Sequence, residues 1–180
     1  LNHLHLRASV GAAAVGGTVH VAVLPKSAGP EEDIIVGAAI WFAPGQCLNS
    51  TYQQREAGWN QFMDAGSDGM RRWWTEYFSP LVEKHVSDPD VFGGERYPDQ
   101  VWDLNLLAVH PQFHQRGIAK SLLQYAELQA ARIGRPLVLK TSTEVDVTIY
   151  RRLGFEVKRK IEVESPIGNA DLYFMVKETV

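Results

Sequence analysis

The residues that invite a chemical reading run from Val109 to Lys120: Val109-His-Pro-Gln-Phe-His-Gln-Arg-Gly-Ile-Ala-Lys120. An apolar run ends at a turn set by Pro111, and small residues then open a helical pattern. The first N–H groups of a helix have no partner within it, and about half a positive charge of macrodipole stands behind them. Gly117 permits close backbone approach and Ala119 keeps the next turn slim, so phosphate or pyrophosphate is the ligand such a place binds. A single glycine does not make a dinucleotide fingerprint or a P-loop. His110 and His114 are separated by a proline turn and form no helical pair, which argues against a metal site. The lone Cys47 excludes an internal disulfide framework and any cysteine-based zinc site.

These residues need elements to hold them. Val101 to Val109 alternates and turns apolar on both faces near its C-terminal end, the pattern of a central, doubly covered strand. A helix follows from about Gly117, with Ala119, Leu122, Leu123, Ala126, Ala130 and Ile133 on one face. Gly134 and Pro136 end it. Leu137–Thr141 is a short strand, Val145–Leu153 a short helix stopped at Gly154, and Phe155–Val163 with Asp171–Lys177 a terminal hairpin around 165–169. Upstream, Thr18–Leu24 and Ile34–Phe42 form an antiparallel hairpin, joined by a loop from Pro25 to Asp33. Between 49 and 90 the chain is helical in two pieces, the first with Trp59, Phe62 and Met63. In the second, the spacing of Met70, Trp73, Trp74, Tyr77, Phe78, Leu81 and Val82 follows the helical period. Residues 1–17 read as the tail of a helix and a turn, because paired glycines break their short apolar stretch. A parallel strand pair in the middle and hairpins at both ends make the sheet mixed, so α/β and α+β describe the class equally well.

The 180 residues fit one domain. A net charge of −3 gives no electrostatic reason to expect nucleic acid or an anionic membrane as partner. No apolar run reaches the ~18 residues of a membrane span. The chain opens on Leu1 rather than Met, which fits an N-terminal truncation.

The chain resembles the GNAT superfamily of acyl-CoA N-acyltransferases. That family's signature is Gln/Arg-x-x-Gly-x-Gly/Ala, after a strand that ends in hydrophobics and His-Pro or similar. Here Leu106-Leu-Ala-Val-His-Pro111 leads into His114-Gln-Arg-Gly-Ile-Ala119 and Ser121-Leu-Leu123. Ile149-Tyr-Arg-Arg-Leu-Gly-Phe155 is similar to the family's second signature. The resemblance covers about residues 18–177 and is sharp over 101–155. There are two departures. His114 stands where the family has Arg or Gln, and residues 1–17 are too few for its usual first strand and two helices.

The resemblance implies a GNAT-like mixed, mostly antiparallel sheet with a splayed central parallel strand pair, flanked by helices. It implies a single N-acetyltransferase domain over 1–180, with a long helical insertion at about 45–100. Acetyl-CoA is the implied acyl donor, and no metal is implied. Its pantetheine arm would lie between the splayed strands like an added strand, against Leu107, Ala108 and Val109 on one side and Thr141 and Ser142 on the other. Its pyrophosphate would meet His114, Gln115, Arg116, Gly117, Ile118, Ala119 and Lys120. Arg151, Arg152 and Lys158 are candidates for the adenosine 3′-phosphate, with solvated surface charge as the plain alternative. Tyr150 matches the family's general acid to the departing thiolate, and its reference pKa near 10 against about 8.5 for a thiol makes that transfer gentle. The alternative for Tyr150 is a half-buried side chain at a helix end. Asp103 is a candidate base, or simply a polar residue at the strand's exposed start, and Asn105 on the same side could hold a water. The Val109 N–H is a candidate donor to the oxyanion. Trp73, Trp74, Tyr77 and Phe78 are core, or else an aromatic wall for the acceptor.

The expected activity is acetyl transfer from acetyl-CoA to a primary amine by direct attack, and a non-catalytic acyl-CoA-binding or sensing domain is the alternative. The insertion favours a small-molecule amine over a protein lysine. Neither nucleic acid nor membrane is an expected partner; the chain is expected to be cytoplasmic, as a monomer or homodimer.

Overall fold

The computed structural model describes residues 1–25 and 33–179, so most of the loop expected over Pro25–Asp33 lies outside the described residues. Six strands form one sheet: β1 (Thr18–Leu24), β2 (Ile34–Phe42), β3 (Trp102–Val109), β4 (Leu137–Thr141), β5 (Glu156–Val163) and β6 (Ala170–Lys177). Their order is β1-β2-β3-β4-β6-β5. Every neighbouring pair is antiparallel except β3 and β4, which are parallel.

Helices α4 (Ile118–Arg132) and α5 (Glu144–Arg152) cover one face of the sheet. Leu122, Leu123, Ala126 and Ala130 recur on one side of α4 and are buried with Trp41, Leu104, Leu139 and Met175. Ile133, expected on that stripe, is 56% exposed because the helix has ended: it occupies the C-cap. Gly134 follows at φ +61, and the Arg135 N–H closes back on the Ala130 carbonyl at 3.0 Å.

The other face carries α1 (Asn2–Gly16) and two further helical runs, α2 over 52–64 and α3 over 68–86. Here Val86, Phe92, Val138 and Phe174 form one buried cluster, while Ala12 and Ala13 of α1 pack on Ile40 and Phe42. The Ala/Gly-rich start of the chain is thus a full helix of 15 residues with a packing role. Its small side chains let α2 come very close. A Cβ on Gly58 would stand 2.8 Å from the Ala8 Cα, and Gly58 also has φ +155. Ser67 caps α3 by accepting the Met70 N–H at 3.2 Å. Pro80 within α3 has no N–H and crowds the carbonyl four residues back. The stretch before it, Trp73–Phe78, is widened to π geometry.

Candidate active site

The central feature is an interruption of the sheet. β3 pairs with β4 only through Trp102–Leu137, Asp103–Val138 and Leu104–Leu139, although β3 continues to Val109 and β4 to Thr141. On its other side β3 stays paired to β2, as far as Val109 opposite Gly37. Ile40 faces Leu106 and Trp41 faces Leu104, so Asn105 is an extra residue, a β-bulge. The faces record the slip. Leu104 and Leu107, three apart, both join the cluster under α4, whereas Leu106 packs on the α1 side. A regular strand forbids that combination. The bulge bends β3 at the residue where β4 is lost, and a cleft opens between the two strands.

The far end of the cleft is built to receive an anion. The His110 Nδ1 accepts the Gln112 N–H at 3.4 Å, and His114 Nε2–H donates to the Val109 carbonyl at 2.9 Å. Both rings are thus used to fix the turn over Pro111–Phe113. Gln115 at φ +60 and Gly117 at φ +78 are left-handed. Ser121 N–H is the first to close a helical turn, on the Gly117 carbonyl at 3.0 Å. The N–H groups of Gly117, Ile118, Ala119 and Lys120 are left without intrahelical partners. No acidic residue lies in that first turn. The Arg116 guanidinium stands 5.2 Å from the Phe113 ring centre.

Across the cleft, Thr141 Oγ1–H and Thr143 Oγ1–H donate to Asp146 Oδ2, at 3.2 and 2.7 Å. The Asp146 N–H returns a bond to Thr143 Oγ1 at 3.0 Å, which caps α5. Tyr150, one turn on, packs against the α4 cluster, as Leu107 and Ile118 also do, with its ring centre 5.7 Å from that of Phe155. Burial, helped by the Asp146 carboxylate, pushes its phenol up to about 12. The proton transfer read from reference values is therefore much steeper than expected.

On the α3 side the cleft meets a groove of about 750 Å³. Met70, Trp73, Trp74 and Phe78 of α3 form one wall; Lys140, Thr141 and Ser142 form the end at the cleft; the β5–β6 turn and Leu172 form the rest. Trp73 stacks on Phe78 at 4.9 Å. Trp73 Nε1–H donates to the Glu164 carbonyl at 2.8 Å, and the Tyr77 hydroxyl accepts the Glu164 N–H at 2.9 Å. One backbone residue thus ties the β5–β6 turn to α3. Trp73, Tyr77 and Phe78 pack on the sheet cluster, as the core reading expects, and Trp73, Trp74 and Phe78 also line the groove.

Asp103 is not among the groove-lining residues. Its Oδ2 accepts from Lys140 Nζ at 2.7 Å, and its Oδ1 is buried without a partner among the described residues. The carboxylate holds Lys140 at the mouth of the cleft. In the sequence Lys140 and the β5–β6 turn read as strand and hairpin, with no link to the site; the one signal for Lys140 was a charge inside the apolar run Leu137-Val-Leu-Lys140. Lys158 is misplaced for a 3′-phosphate. It borders a separate cavity of about 340 Å³ with Arg135, Pro136 and Val176, near the start of β4 and away from the cleft. Arg151 and Arg152 are exposed in the last turn of α5. Among the described residues no His, Cys, Asp and Glu cluster could hold a metal, and no helix is long and apolar enough to cross a membrane.

Residues 85–157 match a family model described as an acetyltransferase (GNAT) domain. A solved structure of a putative GNAT-family acetyltransferase from Desulfovibrio desulfuricans is 17% identical, with a TM-score of 0.50 over 93% of this chain and 72% of that one. Over 85–157 the chain is similar to a GNAT acetyltransferase domain. A second match is the NatC complex bound to Gag peptide and CoA, at 14% identity and TM-score 0.50, over 90% of this chain and 71% of that chain. At such identities these two structures speak to fold alone. No curated protein matches the sequence. The matched stretch holds β3, the turn after it, α4, β4 and α5, the elements that frame the cleft.

Proposed function

We propose that this chain transfers the acetyl group of acetyl-CoA to the primary amine of a small molecule by direct attack. The observation that carries the reading is the parting of β3 and β4 beyond Leu104 and Leu139, with free helical N–H groups at one end and an apolar groove at the other. Pyrophosphate takes the N–H groups from Gln115 to Lys120, flanked by the charges of Arg116 and Lys120. The pantetheine arm lies along Leu107, Ala108 and Val109, opposite Thr141 and Ser142.

From Val109 back to the Asn105 bulge is about 13 Å at the usual strand rise. The thioester therefore falls nearer the bulge, and we assign the oxyanion to a backbone N–H there instead of at Val109. Tyr150 donates its proton to the departing thiolate. Asp103, already bound to an ammonium, positions Lys140 and is a poor base. The acceptor's own ammonium loses its proton to water before attack, at a cost of about 4–5 kcal/mol for an alkylamine at pH 7.

A wall made of α3 and the β5–β6 turn tied to it suits a small acceptor better than a lysine on a folded protein. The test is release of free thiol from acetyl-CoA with a panel of amines, beside calorimetry of acetyl-CoA binding. Tight binding with no thiol release from any amine would convert the reading to a sensing domain. No binding at all would remove both.

A further inference from the structure

Lys140 is the unusual member of the groove, and the role assigned to it rests on acetyl transfer with the acceptor lying in that groove. It succeeds Leu139, the last β4 residue paired with β3, so its ammonium stands where the strands part. Asp103 occupies one of its three donors, and the Phe92 ring centre lies 5.6 Å away. At 21% exposure its side chain is neither a solvated surface lysine nor a sealed one. The other charged residue lining the groove is Asp171. Its carboxylate is engaged by Lys160 Nζ at 2.8 Å and by the Tyr173 hydroxyl at 3.2 Å. The groove therefore offers a cation with donors to spare, no uncommitted anion for a second cation, and an aromatic wall.

We propose that the acceptor is an apolar α-amino acid or a close relative, a primary amine beside a carboxylate on an aromatic or branched aliphatic body. The carboxylate meets Lys140, a charge-assisted contact in a half-buried place. The body lies on Trp73, Trp74 and Phe78. The amine, on the same carbon as the carboxylate, is then turned toward the cleft and the thioester. Its nitrogen bonds to the carbonyl carbon, the C–S bond breaks, and the thiolate leaves with the Tyr150 proton, which solvent restores. The surplus proton on nitrogen goes to water, and the products are an N-acetyl amino acid and free CoA. A polyamine would have to set its second ammonium against Lys140 or an apolar wall.

The test uses the full chain and matched acceptors: L-phenylalanine and L-tryptophan against phenethylamine and tryptamine, which lack only the carboxylate, with spermidine as a polycation. The expected kcat/KM, from thiol release, is about 10- to 100-fold higher for the amino acids. That advantage should vanish in the double variant Lys140→Met, Asp103→Leu, which leaves no unpaired carboxylate. If the double variant does not fold, the ratio in the unaltered protein still decides. Calorimetry of L-phenylalanine with the CoA-loaded chain reads the same preference at equilibrium. Phenethylamine matching or beating phenylalanine overturns the inference and leaves acetyl transfer standing, as does an advantage that survives in the double variant. Phenylalanine binding without thiol release from any amine supports the pocket and overturns the catalytic reading instead.

Discussion

Replacing Tyr150 with Phe removes one hydroxyl from a partly buried ring and keeps its packing on Phe155 and the core beneath α4. The phenol's pKa of about 12 stands well above a thiol's ~8.5, so full transfer in the ground state would be uphill by about 5 kcal/mol at 1.36 kcal/mol per unit. On the proposed reading the phenol acts first as a hydrogen-bond donor to the forming thiolate and gives up its proton only as the sulfur leaves. A hydrogen bond to a charged partner is worth roughly 1.5–3 kcal/mol, which predicts a fall in kcat of about 10- to 150-fold. Thiol release at saturating acetyl-CoA measures it, with acetyl-CoA Kd from calorimetry unchanged. In the unaltered enzyme no descending limb from Tyr150 should appear between pH 8 and 10. Stability carries the same signature. Because the folded pKa is raised, the unaltered protein keeps this tyrosine's contribution below pH ~10 and loses up to about 2–3 kcal/mol as pH climbs toward 12, a loss Tyr150→Phe should not show. A variant within twofold of wild type in kcat would refute the acid role, and an equal loss in acetyl-CoA affinity would recast Tyr150 as a binding residue.

Three further outcomes are expected. Gly117→Ala puts an L residue at φ +78, costing roughly 1–2 kcal/mol of stability, and adds a methyl that meets no protein atom within 4 Å but stands before the free N–H groups. Calorimetry should show acetyl-CoA binding weakened about tenfold; an unchanged Kd would move the pyrophosphate elsewhere. Tyr77→Phe deletes the acceptor for the Glu164 N–H, so the acceptor's KM should rise while the KM for acetyl-CoA and the Tm stay nearly fixed. A rise in the acetyl-CoA KM instead would mean that the β5–β6 turn serves the other substrate. Gly58→Ala forces a Cβ to 2.8 Å from the Ala8 Cα and should cost about 2–3 kcal/mol, several degrees in Tm by scanning calorimetry. An unshifted Tm would show that α1 is not seated as described.

Local pattern made much of this fold legible. The alternation of Thr18–Leu24, the Leu122, Leu123, Ala126 and Ala130 stripe, and the Gly117 and Gly134 boundaries each depend on residues close in sequence. The bulge was not legible. Leu104, Asn105 and Leu106 look like regular alternation, and only the register against Trp41 and Ile40 shows that one residue is extra. The Lys140–Asp103 pair joins positions 37 apart, and nothing near either residue announces the other. Trp73 and Trp74 posed a different difficulty. A helical spacing of aromatics marks the side that turns inward, but a groove wall and a core surface lie on that same side. The acidity of Tyr150 was misjudged, because reference pKa values carry no information about burial.

The parting of β3 and β4 has a consequence for solubility. An open sheet has two edges, and this one has four: the outer sides of β1 and β5, and the two facing rims inside the cleft. Rims with unsatisfied N–H and C=O groups are templates for unwanted pairing with other chains. Here the two rims face each other across the cleft, and a strand entering from outside would have to fit its side chains between them. On the proposed reading, the arm that lies between the rims also covers them, so donor binding removes two of the four edges.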